Sequence, residues 1–224
     1  SDWKIDTLMP RSLMPALAVL RMRKSAQDNL NIVFDADGLA ADERVDFGGL
    51  SPHSITYRFL RDIEGALLRR SDAVITRTES ARSILLARAG SALKPENCHM
   101  VSNGVDADPF TDALQHFPKT TNEPFTLCYC GSIGAQYRLP EMLDIACKMK
   151  VQIPELQFRL FSQYQDVVQR ALKDKGLHEE NWIDCKAVPS EKVPEEFVQC
   201  DLGIALREPS FSTQAILPIK LGEY

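Results

Sequence analysis

Hydrophobic and polar positions alternate along this chain in a repeating order of short apolar run, polar loop and helically spaced stretch. Residues 31–35 (NIVFD) form an apolar run ending in aspartate, and a polar loop follows to about residue 52. Between residues 55 and 70, Ile55, Phe59, Ile63, Ala66 and Leu67 recur at helical spacing. Residues 73–76 (AVIT) read as a buried strand. Thr78 or Ser80 can then cap a helix that runs through Ala89 and ends at Gly90. Residues 99–102 (HMVS) are a third apolar run, leading into the turn signal Asn103-Gly104.

From residue 106 to 124 the chain is polar, carries Pro109, Pro118 and Pro124, and shows neither helical nor strand period, which predicts a linker. The alternation then restarts, with strands over 125–130 (FTLCYC), 157–161, 182–185 and 202–206. Helices are predicted between them over 139–150, 164–175 and 191–200. The final stretch, PIKLGEY, opens like a helix because Pro218 suits a first turn.

Repeated strand–helix–strand units imply parallel sheets covered by helices. The predicted class is α/β with two Rossmann-like domains. Residues 1–108 make the first domain, 109–124 a linker and 125–224 the second domain. In such sheets ligands bind beyond the carboxyl ends of the strands. Chemistry is therefore sought in the loops after residues 35, 76, 102, 130, 162, 185 and 206.

Charge narrows the partners. The 224 residues carry 26 basic and 31 acidic side chains, net −5, which does not suit a surface wholly facing nucleic acid. No stretch approaches the roughly 20 apolar residues of a membrane helix. Asp2, Lys4 and Asp6 interrupt any secretory-signal pattern. The six cysteines sit mostly in apolar runs and read as reduced thiols, which suggests a cytoplasmic protein. Cys128 and Cys130 share one face of a strand, but no second Cys/His pair completes a zinc site, so no metal is expected.

The loop Gly131-Ser132-Ile133-Gly134 follows a strand and precedes a helix. Its glycines would let backbone amides approach a phosphate, and Arg138 can add a charged contact. Asp35-x-Asp37 has metal-like spacing without a third ligand. Asp42 and Glu43, with Gly38 as a bend, extend an acidic loop that either holds sugar hydroxyls or is simply solvated. The helix at 55–70 carries Arg58, Arg61, Arg69 and Arg70. It can lie on an anionic membrane, although Asp62 and Glu64 interrupt the stripe. The four histidines are scattered.

Five segments in order resemble the family 4 glycosyltransferases of the GT-B fold. They are IVFDADGLAADERVDF, VSNGVDADPF, LCYCGSIGAQYR, AVPSEKVPEEFVQCDLGIAL and PIKLGEY. The resemblance implies two Rossmann-like domains, both incomplete at the chain ends. It implies a hexosyltransferase that moves a sugar from a nucleotide-diphosphate donor to a glycan or lipid-linked acceptor, with retention and without a cofactor. Gly131 and Ser132 would lie against the donor phosphates, and Arg138 would neutralise the leaving diphosphate as the catalytic cation. Lys220 would be a second polar contact, and Glu223 would bind the ribose. Asp35, Gly38, Asp42 and Glu43 would fall on the acceptor side. Peripheral contact with the inner face of a membrane would suit a lipid-linked acceptor.

One position departs from the family pattern. A second glutamate usually stands eight residues before the ribose-binding one, and here that place is Ala215. Ser212, Thr213 and Gln214 are the nearby residues that can substitute for it in recognising the sugar. Two alternatives share this fold: a nucleotide-sugar 2-epimerase, and an inactive nucleotide-binding or interaction module.

Overall fold

The computed structural model describes residues 4–22, 30–120 and 122–224. Residues 1–3, which open the first predicted domain and include Asp2, lie outside the described residues, as does Thr121 of the predicted linker. By their contacts the residues divide into two units. The first is Ser1–Asn103 with Pro209–Leu217, and the second is Gly104–Glu208 with Pro218–Tyr224.

The first unit is a parallel sheet ordered β1 (Thr7–Leu8), β2 (Asn31–Asp35), β3 (Ala73–Thr76) and β4 (Cys98–Met100). Its helices are α1 (Leu13–Arg21), α2 (Ala40–Asp46), α3 (Ile55–Arg70) and α4 (Glu79–Ala89). Phe34 and Val74 of the sheet are buried with Leu67, Leu68 and Leu85 of the helices. α3 has the predicted bounds, and the Ser54 hydroxyl caps it by accepting from the Tyr57 N–H at 3.1 Å. Its buried stripe is Leu60, Ile63, Leu67 and Leu68, whereas Ile55 is 84% and Phe59 48% exposed. The inward face is thus set one position round from the predicted one. α4 ends where predicted, at Gly90 with φ +59°, and of the two candidate caps it is Thr78 that accepts from the Ala81 N–H at 3.0 Å.

α2 replaces the polar loop expected after residue 35. Leu39 and Ala41 are buried, and Asp42 and Glu43 stand in the first turn, where the helix dipole favours acids. Composition made this stretch look like a loop because its charged residues outnumber its apolar ones.

The second unit is a parallel sheet ordered β7 (Ile183–Lys186), β6 (Gln157–Phe161), β5 (Thr126–Cys130) and β8 (Leu202–Gly203). Its helices are α5 (Asp108–His116), α6 (Leu139–Gln152), α7 (Gln165–Asp174), α8 (Val193–Phe197) and α9 (Lys220–Glu223). Leu127, Tyr129, Met142, Leu143, Phe158, Leu160 and Val168 are buried together at its centre. Each contributes roughly 1.5–3 kcal/mol by leaving water.

Two expectations change here. The predicted linker begins with α5, whose Pro109 occupies the first turn, where proline is pre-organised for a helix. Phe110 of that helix packs against Phe197 of α8 at 6.1 Å between ring centroids. The contacts also divide the chain after Asn103 and return Pro209–Leu217 to the first unit, so neither unit is one continuous stretch.

The two sheets differ in the path of the chain. In the first unit the described strands are laid down in sequence order. In the second, the chain goes from β5 to β6 to β7 on one side and then places β8 on the other side of β5. The strand order therefore reverses between β5 and β8, the position at which open parallel sheets bind their ligands.

Candidate functional site

β5 and β8 are parallel neighbours, with Leu127 opposite Leu202 and Cys128 opposite Gly203. The loops that follow them leave the same sheet edge and are joined. The Arg138 N–H donates to the Leu206 carbonyl at 3.2 Å and the Glu208 N–H to that of Gln136 at 2.9 Å. Tyr137 and Arg207 form an antiparallel bridge between these bonds. The buried Tyr129 hydroxyl donates to the Ser132 carbonyl at 2.5 Å and pins the start of the first loop.

Gly131 has φ +137°, a conformation that side chains rarely adopt, and its missing side chain is used. A Cβ there would collide with Nζ and Cε of Lys220. The Lys220 ammonium lies 5.3 Å from the Tyr129 ring centre and 4.9 Å from that of Tyr137. No carboxylate lies within ion-pair distance of it among the described residues. Aromatic faces stabilise such a charge by about 0.5–1 kcal/mol and leave it free to meet an anion. Gly131, with Ser132 next to it, and Lys220 are thus brought together.

One detail differs from expectation. The Gly131 N–H is spent on the Phe161 carbonyl at 2.8 Å, completing the β5–β6 ladder. The donors left at the loop are the N–H groups of Ser132, Ile133, Gly134 and Ala135, which have no protein acceptor among the described residues. The Ser132 hydroxyl donates to the Tyr137 phenol oxygen at 3.3 Å. Burial tends to raise the Tyr137 pKa. The Ser132 hydrogen bond and the charges of Lys220 and Arg207 outweigh it, so the phenol lies below its ordinary value.

Arg138 is half-exposed and engaged: its guanidinium is ion-paired with Glu141 and, through Nε, with Glu208 at 3.3 Å. Glu223 stands one turn from Lys220 on α9, half-buried, with no ion pair among the described residues. Its charge helps to hold the Cys130 thiol up at about 11, the larger cause being burial. Sequence reasoning missed Arg207, Tyr137 and Gln136. Arg207 follows an apolar run and belongs to no motif, and only the β5–β8 pairing brings it to Tyr137.

The acceptor-side candidates are placed differently. Asp35 is buried, and both its oxygens accept from Nη2 of Arg77, at 2.7 and 2.9 Å. Asp37 takes Nε of Arg77 at 3.2 Å and Nη2 of Arg11 at 2.6 Å. Asp42 is buried and accepts from the Tyr57 hydroxyl and from Arg88, each at 2.9 Å. Neither Asp35 nor Asp42 offers a free carboxylate, because a buried charge is stable only when paired. Gly38 and Glu43 line a cavity of about 70 Å³ with Ser12, Phe34, Asp37 and Glu64. That is room for a few waters rather than a sugar ring.

Ala215 is fully buried in the core of the first unit. Its neighbours are turned into the same unit. The Ser212 N–H donates to Asp46 at 2.8 Å, the Thr213 hydroxyl to the Ser210 carbonyl at 2.9 Å, and the Gln214 carbonyl accepts from Thr78 at 2.7 Å. Among the described residues no group of three or more His, Cys, Asp or Glu is arranged to hold a metal ion. No helix there is long and apolar enough to cross a membrane.

No protein-family model matches the sequence, and no curated protein matches it. Solved structures do match. A sucrose-phosphate synthase from Thermosynechococcus elongatus is 14% identical with TM-score 0.58, over 88% of this chain and 49% of that one. The pneumococcal O-GlcNAc transferase GtfA, solved with UDP and GlcNAc, is 12% identical with TM-score 0.58, over 89% of this chain and 37% of that one. The lipopolysaccharide outer core galactosyltransferase WaaB, in its apo form, is 13% identical with TM-score 0.55, over 89% of this chain and 49% of that one. This chain therefore spans half or less of the length of each. Its two parallel-sheet units have the GT-B fold that these glycosyltransferases share.

Proposed function

We propose that the chain is part of a glycosyltransferase that moves a sugar from a nucleotide-diphosphate donor to a glycan or glycolipid acceptor, with retention at the anomeric carbon. Lys220 carries this conclusion. An ammonium without a carboxylate partner is lodged over a glycine at the switch point of a parallel sheet, beside unspent backbone donors. When a glycosyl bond to a diphosphate breaks, negative charge grows on the departing oxygen. A fixed cation and N–H donors aimed there lower the barrier. In this arrangement Gly131 makes room for the cation and Ser132 supplies an N–H. Glu223, one turn further along α9, is the residue assigned to accept from ribose hydroxyls. GtfA, of the same fold, was solved with UDP and GlcNAc, which agrees with a donor of this class.

The acceptor side rests on less. Arg58 and the exposed Ile55 and Phe59 of α3 give that helix a basic and apolar surface suited to the headgroups around a lipid-linked acceptor. Calorimetry with a panel of UDP- and GDP-sugars tests the donor reading: binding to one nucleotide series is expected, in the micromolar range. A folded protein that binds none of them would sink it. Product analysis by NMR separates transfer with retention from inversion and from 2-epimerisation of the donor.

A further inference from the structure

The joined loops after β5 and β8 hold a second cation beside Lys220. The Arg207 guanidinium donates through Nη1 to Gln136 Oε1 at 3.2 Å and through Nη2 to the Tyr137 phenol oxygen at 3.1 Å. Its central carbon lies 5.0 Å from the centre of the Tyr137 ring, the ring that Lys220 also covers. Among the described residues no carboxylate is within ion-pair distance of Arg207. Two neutral oxygens and one aromatic ring fix its direction, and a guanidinium carries five N–H donors, so donors remain. Arg138 has the opposite environment. Glu141 comes from its own helix and Glu208 from the loop after β8, so its charge is neutralised and spans the two loops.

We infer that Arg207, with Lys220, is the arginine that receives the diphosphate of the donor, and that Arg138 is a positioning residue tying the two loops together. This rests on the nucleotide-sugar reading of the second unit. Two fixed positive charges match a diphosphate better than one. A guanidinium can meet two phosphate oxygens with parallel N–H bonds, which an ammonium cannot. The depressed phenol of Tyr137 is consistent with two cations converging there.

Calorimetric titration of the protein with inorganic pyrophosphate, UDP and GDP tests this, on Arg207→Met, Arg207→Lys and Arg138→Gln beside the unaltered chain. Arg207→Met is expected to weaken pyrophosphate and nucleoside diphosphate binding about tenfold or more. Binding of uridine or guanosine should stay the same. Arg207→Lys should recover part of the loss, since it keeps the charge without the fork, and it serves as the test if the methionine variant does not fold. Arg138→Gln should stay within about threefold in affinity while lowering the melting temperature, the signature of a tether. Unchanged binding in both Arg207 variants, or a loss in Arg138→Gln equal to that in Arg207→Met, overturns the inference and leaves the donor reading intact. Pyrophosphate binding that depends on Arg207, without any nucleotide binding, keeps the anion site and removes the donor reading. Binding of neither probe by the unaltered protein removes both.

Discussion

In the first unit, Arg77 and Arg88 each sit between two carboxylates, whereas Lys220 and Arg207 in the second sit among aromatic rings and neutral oxygens. Arg11 and Arg77 meet Asp35 and Asp37 in one cluster, and Arg61 and Arg88 meet Asp42 and Glu64 in another. Each cluster balances two positive charges with two negative ones, so nothing is left for an incoming ion. The topology follows the same division. Described strands of the first unit run in sequence order, while the chain reverses at β5 and β8 in the second. Charge is therefore available to a ligand only where the fold leaves it unbalanced. An acidic loop can look like a site and be scaffolding.

The largest test of that contrast is Arg88→Leu. It leaves Asp42 and Glu64, which are 6% and 2% exposed, with only Arg61 of their two arginines, 3.8 Å from Asp42 and 2.8 Å from Glu64. Removing one partner of a buried pair costs about 3–5 kcal/mol, while replacing a whole group by apolar residues can be neutral. Urea unfolding should therefore show a large loss in Arg88→Leu. The quadruple variant Arg61→Met/Arg88→Met/Asp42→Leu/Glu64→Met, which removes the whole cluster, should recover much of it. The loss should also depend on pH. Burial raises the Glu64 pKa, and Arg88 and Arg61 oppose the rise. A raised carboxyl contributes stability that is full below its unfolded pKa and is lost as pH rises through its folded one. Without Arg88 the folded pKa climbs further, so the variant should be least impaired near pH 4 and most impaired at neutral pH. A loss independent of pH would mean that Glu64 is not the stranded charge.

These clusters also show what could and could not be read from sequence. Strands β2, β3 and β6 and helix α3 were legible to the residue, and the end of α4 as well, because apolar period and capping residues act locally. The Gly131 loop was legible for the same reason: a glycine after a strand and before a helix is a local signal. Asp35 and Asp42 misled because the partners that neutralise them, Arg77 and Arg88, lie 42 and 46 residues away. Arg207 was missed for the converse reason. Its worth comes from lacking a carboxylate partner and from the β5–β8 pairing, and neither is a property of any short segment. Pro109 read as a linker signal when it was a helix start, since proline serves both and only the packing of Phe110 on Phe197 decides.

A middle-sized effect is expected at Gly131. Alanine there meets two penalties, the positive φ and collision with the end of Lys220. The backbone strain amounts to about 1–3 kcal/mol. The collision is relieved if the flexible lysine swings away, and that movement is what the contrast predicts should matter for function. Gly131→Ala is expected to weaken UDP or GDP binding about tenfold, beyond what its modest loss in melting temperature explains. Comparison with Gly90→Ala separates the two penalties: that glycine also has positive φ, but a Cβ there meets nothing within 4 Å. If both variants lose only stability, Lys220 is a packing residue and the second unit resembles the first.

The smallest effect, and the most local, is at the Tyr137 phenol. Tyr57, Tyr129 and Tyr224 are pushed up, chiefly by burial. Tyr137 alone among these four is pulled down, because the Ser132 hydrogen bond and two cations outweigh its own burial. In an alkaline titration followed by phenolate absorbance, the component that Tyr137→Phe deletes should appear earlier than those of the other three. Lys220→Met and Arg207→Met should each move it to higher pH, as should saturating pyrophosphate, since an anion between the cations cancels their pull. The linkage has a definite sign. A lowered phenol contributes stability above its unfolded value near pH 10 and loses it as pH falls through the folded one, so this test leaves stability at neutral pH untouched. If neither substitution moves the Tyr137 titration, the two cations do not converge on that ring, and the imbalance that distinguishes the second unit from the first is not there.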